Sequence, residues 1–172
     1  MQRFTKISIA LSIAAALVAS VAHAQTPTAA HPVRTERNIS LALASEIAGA
    51  TVAACSANGY AVAATVVDRA GGVRAVQRAD NAGPHTLAAS QQKAFTSASA
   101  KNTTLAMQDA SQKNPAAANL VYIPGFLLLG GGVPIKVGNE VIGAVGVGGA
   151  PGGNLDEQCA LTALDKVKDQ LK

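Results

Sequence analysis

The sequence predicts an α+β fold, one antiparallel sheet flanked by helices. The β-branched runs arrive in hairpin-connected groups, and helix-compatible segments stand between those groups and at both ends. A chain of 172 residues has room for one substantial core. With 49% hydrophobic side chains, 3% aromatics and no Trp, that core must be packed from Ala, Val and Gly.

The chain opens with a basic hexapeptide, an apolar run from Ile7 to Val21, and Ala22-His23-Ala24. This is the anatomy of a signal peptide over residues 1–24, with cleavage before Gln25. The apolar run is too short for a stable membrane anchor. Cleavage would remove Arg3 and Lys6, cutting the net charge of +4 by two. The remaining basic residues are scattered rather than striped, so nucleic acid is not an expected partner. Residues 25–37, with two prolines and no apolar periodicity, read as a flexible leader, and the domain spans 38–172. The expected location is periplasmic or secreted.

Asn38 or Ser40 caps a first helix running through Ile47, Ala48 and Val52 to Cys55, which Asn58-Gly59 ends. Tyr60 to Asp68 and Val73 to Ala79 form a hairpin across Arg69-Ala70-Gly71-Gly72, the first run central and the second partly exposed. Pro84 opens a second helix, His85 to Ala100, and a third fits Thr103 to Lys113. Short strands are expected at Val121–Ile123, Phe126–Leu129, Val133–Val137 and Val141–Val147, the last two joined by Gly138-Asn139. A final helix starts near Asn154 and runs to Leu171, with Asp156 and Glu157 as solvent-facing capping acids.

Export places Cys55 and Cys159 in an oxidising compartment, where thiols pair. If the first and last helices lie antiparallel on one face, a bridge closes a loop of about 100 residues, worth about 2–4 kcal/mol. The alternative is two buried free thiols.

The sequence contains no G-x-S-x-G, H-E-x-x-H, P-loop or C-x-x-C motif. After cleavage two histidines remain, His31 in the leader and His85. His85 sits in the first turn of its helix, where the macrodipole disfavours imidazolium and leaves a nitrogen free to bind a metal. At 100° per residue Ala89, Gln92, Thr96 and Ser99 share its stripe, with Lys93 beside it, while Leu87, Ala94, Phe95 and Ala98 lie opposite. A solvated surface histidine is the competing reading of the same pattern. Tyr60 and Tyr122 read as core fillers, with polar handles as the alternative. The loops Gly130-Gly131-Gly132 and Gly148 to Gly153 read as tight turns, with anion binding as the alternative.

Several runs together resemble the GlcG/HbpS-like haem-binding family. They are Val66-Val67-Asp68-Arg69 with Gly71-Gly72, Arg78-Ala79-Asp80 through Pro84, Lys93-Ala94-Phe95-Thr96, Gly130 to Ile135, and Val141 to Val147. The closing Gly149 to Gln158 resembles its extracellular, HbpS-type branch. The resemblance implies a profilin-like domain, homo-oligomers, and haem as a ligand in some members. No C-x-x-C-H is present, so haem would bind non-covalently. His85 is then the candidate iron ligand, with Lys93 and Thr96 as candidate propionate or edge contacts.

The leading expectation is an exported, non-catalytic haem-binding protein that captures, buffers or reports haem or iron, with a signalling protein as a candidate partner. The alternative is a domain for a small carboxylate metabolite in a catabolic pathway, using the glycine loops and Lys93, without haem.

Overall fold

The structure, a computed structural model, describes residues 33–172. The expected signal peptide, His31 and most of the expected leader lie outside the described residues. Thr35–Lys172 forms one compact unit.

Helix α1 (Leu41–Ser56) is capped by the Ser40 hydroxyl, which accepts from the Leu43 N–H. It is followed by β1 (Ala63–Asp68), β2 (Val73–Arg78), α2 (His85–Ala100), α3 (Thr104–Lys113), β3 (Gly132–Val137), β4 (Glu140–Gly148) and α4 (Gly153–Lys166). The strands form one antiparallel sheet in the order β2-β1-β4-β3. β1 is interior and β2 is an edge, in keeping with their buried and exposed compositions.

Strand alternation divides the side chains between two faces. Val66, Val133, Ile135, Val145 and Val147 pack with Ala44, Ile47 and Ala48 of α1 and Ala160 of α4 in the main core. Val67 and Ala144 face the other way, onto Ala94 and Ala98 of α2. The sheet therefore lies between α1 and α4 on one side and α2 on the other. A disulfide joins Cys55 to Cys159, and Gln170 donates to Glu46 near the opposite end, so α1 and the C-terminal helix run antiparallel.

α2 lies unusually close to β4. A methyl group at Gly146 would overlap the Ser90 carbonyl oxygen. This approach widens the buried face of α2 beyond the expected one: Ala94 and Ala98 are buried and His85, Gln92 and Ser99 exposed as expected, but Lys93 and Thr96 are buried too. Ser90, Lys93, Ala94, Thr96, Ser97 and Ala98 are buried, and Leu87 is exposed. Small side chains let the backbones approach, and Ser90 is satisfied in the interior by a 2.7 Å hydrogen bond with Thr65.

Two expected strands are absent. Pro115–Tyr122 is a 3-10 helix, and residues 126–129 are irregular. The Leu127 N–H donates to Thr96 Oγ1, and Phe126 packs edge-on against Phe95 at 6.3 Å, so side chains of α2 hold this segment without a neighbouring strand.

Candidate functional site

The polar residues singled out on α2 separate into two environments. His85 is exposed in the first turn, and its imidazole lies against Gly83, where a side chain would collide with the ring. It has no hydrogen bond or ion pair among the described residues, and it is the only histidine among them. No group of three or more His, Cys, Asp or Glu side chains among the described residues could hold a metal ion.

Lys93 is 1% exposed. Its ammonium donates to Asp156 Oδ2 and to the Val147 carbonyl, both at 2.8 Å. Thr96 is fully buried, donating to the Gln92 carbonyl and accepting from Leu127. The structure therefore does not bring His85, Lys93 and Thr96 together at one open surface.

Asp156 is a correction to the expected solvent-facing cap. Its Oδ1 accepts from the Ala150 N–H while Oδ2 holds Lys93, so it ties the glycine loop before α4 to α2 on the other face of the sheet. Burial pushes its pKa up, against the opposing pull of Lys93. Glu157 is half-buried, and burial raises its pKa more than donors at Leu105, Thr103 and Gly131 lower it. The helix α4 begins at Gly153, capped by Gly152 without a side-chain hydrogen bond. Sequence reasoning missed the Lys93–Asp156 pair because the partners are 63 residues apart. The one available signal was the near-total lack of charge around Lys93 in α2.

Gly131 adopts φ +120°, where a side chain would strike Asp156 and the Val147 carbonyl. The glycine loops thus pack around the ion pair, as tight turns. Of the two tyrosines, Tyr60 packs against the core, whereas Tyr122 is 80% exposed and fills none of it.

The outward face of α2 carries an open groove of about 230 Å³ lined by Gly71, Gln91, Gln92, Phe95, Pro124 and Gly125. Gln92 shares the His85 stripe two turns along, about 10 Å away at 1.5 Å per residue. The groove offers aromatic and amide surface. At its volume it falls below the range of about 300–1,000 Å³ usual for enclosed ligand pockets.

Comparison with known proteins matches residues 39–165 to the family described as haem degrading protein HbpS-like. Protein GlcG of Escherichia coli is 33% identical over 114 residues, 66% of this chain and 84% of that protein. A crystallised double mutant of HbpS from Streptomyces reticuli superposes with a TM-score of 0.74 at 34% identity, over 84% of this chain and 98% of that one. PduOC, solved as a haem complex, has a TM-score of 0.66 at 21% identity, over 74% of this chain and 94% of that one, and shares the fold. On this sequence match and the shared helix-sheet-helix architecture, the chain belongs to the HbpS-like family.

Proposed function

We propose that the protein binds haem reversibly on the outward face of α2, with His85 as the axial iron ligand. The observation that carries this reading is the exposed, unbonded imidazole of His85 on a chain of the HbpS-like family. Imidazole is a common haem ligand. Bound haem would supply an iron centre, and this chain's part is to coordinate it and cover its porphyrin. Phe95 and Pro124 in the adjoining groove supply apolar contact.

Lys93 and Thr96 act in this reading as supports that set α2 on the sheet and hold Leu127 beside it. One groove of this size covers little of a porphyrin, which favours a site completed by a second copy in a homo-oligomer. The disulfide supports an exported, periplasmic or secreted protein, and the Gly149 to Gln158 run supports the HbpS-type branch. Haem capture or buffering, or reporting to a signalling protein, follows from reversible binding in that compartment. The metabolite reading is less favoured, because Lys93 and the glycine loops on which it relied are engaged with one another.

The test is a visible-absorbance titration of the oxidised protein with haemin, alongside His85→Ala. Saturable binding lost in the variant supports the assignment. Unchanged binding in the variant removes His85 from the role, and no saturable binding by the wild type overturns the haem reading. A Soret band stable under ascorbate supports a non-catalytic role, whereas progressive bleaching supports haem degradation.

A further inference from the structure

The two edges of the sheet are not equivalent. At β3 the backbone is closed to further pairing. Pro134 has no N–H, the Gly132 N–H donates to Thr104 Oγ1, and the register shifts between Ile135 and Lys136. At β2 no described residue pairs with the outer edge of the backbone. The Ala79 N–H donates to the Val62 carbonyl, which sets the phase of the β1–β2 ladder. With Ala64 opposite Gln77 and Thr65 opposite Val76, the alternate residues Val76 and Arg78 turn their N–H and C=O groups away from β1.

Beside this edge lies a ledge. α2 packs across β4, β1 and β3 but not across β2. The side chains of β2 on that face therefore stand uncovered, with Val73 46% and Val76 44% exposed. Val76 is identified with the α2 side by its partner Thr65, which bonds Ser90. On the other face, Ala75 packs into the main core and Gln77 sits against Gly49 of α1. The helical phase set by Ser90 and Ala98 places Leu87 on the flank of α2 nearest β2, and Leu87 is also exposed.

The charge on the strand is basic. Arg74 and Arg78 are exposed, and Arg78 is steadied beside the ledge by donating to the Ala82 carbonyl. Asp80 lies just beyond the strand's end. A second copy paired through β2 about Val76 would set each Arg74 opposite an Arg78, a like-charge contact. An acidic strand meets no such penalty.

We infer that β2 is a docking edge for an extended acidic segment of a partner protein. The segment adds as a fifth strand, an apolar side chain resting on the Val73–Val76–Leu87 ledge and carboxylates two residues to either side of it, on the same face, meeting Arg74 and Arg78. Main-chain pairing supplies affinity, and the arginines select sign. The site is separate from the His85 face of α2 and does not depend on haem.

The experiment is selection of random heptapeptides on the immobilised full-length protein, followed by titration of the enriched synthetic peptides. The expected winners carry an apolar residue with acidic residues two positions to either side of it. Val76→Pro removes one outward N–H and leaves the β1 ladder intact, and it should weaken these peptides at least tenfold with an unchanged thermal midpoint. Arg74→Glu with Arg78→Glu should weaken them similarly and favour basic peptides when the selection is repeated. Enrichment of peptides without that i−2, i, i+2 pattern, or enriched peptides indifferent to both variants, overturns the inference.

Discussion

Lys93 Nζ lies 2.8 Å from Asp156 Oδ2, both side chains almost wholly buried, joining helices on opposite faces of the sheet. The pair closes one end of the three-layer stack, with Gly131 allowing the approach. A buried ion pair contributes little net stability over an apolar replacement, but losing one partner leaves a desolvated charge.

Lys93→Met is therefore expected to destabilise the protein by about 3–5 kcal/mol. Lys93→Met with Asp156→Asn should recover part of that loss, because Asn retains an acceptor for the Ala150 N–H and carries no charge. Urea unfolding of the wild type, both single variants and the double variant measures the coupling. Additive losses would show that the two side chains act independently.

Glu157 titrates above its ordinary value of 4.5 in the folded protein because it is desolvated. Between the unfolded and folded pKa values the native state holds a proton that the unfolded chain has released. The stability from this group is thus full below the unfolded pKa and is lost as pH rises through the folded one. Glu157→Gln cannot titrate, so its stability relative to wild type should improve as pH rises through that window. Urea midpoints for both proteins across the acidic range check the direction, and a constant difference would contradict it.

Breaking the Cys55–Cys159 bridge, by Cys55→Ser with Cys159→Ser, should lower stability by about 2–4 kcal/mol, since 104 residues separate the cysteines. The bridge lies on the α1–α4 side of the sheet, so haemin affinity at the proposed α2 site should change less than twofold. Paired unfolding and absorbance titrations test both statements.

Gly146→Ala places a methyl group against the Ser90 carbonyl in the tight α2–β4 contact. The expected loss is about 1–3 kcal/mol from overpacking. If thermal unfolding shows no change, α2 does not lie as close to the sheet as described.

The sequence by itself determined the alternation of elements, the α+β class and the antiparallel pairing. Hairpin turns such as Gly138-Asn139, the Ser40 cap and the Pro84 start are local devices whose geometry depends on residues a few positions apart. It also marked His85 as an exposed imidazole, since its place in the first helical turn needs no long-range contact. Tertiary structure decided the rest. Lys93 and Thr96 share a stripe with groups that look solvent-facing, yet they are buried because Gly146 and Gly132 let α2 sink onto the sheet and Asp156 meets the ammonium there. The run at 126–129 has strand composition, but Phe95 and Thr96 hold it from α2 and no strand lies alongside. In each case the deciding partner lies more than 25 residues away, beyond the reach of periodicity, and its desolvation or close packing outweighs local preference.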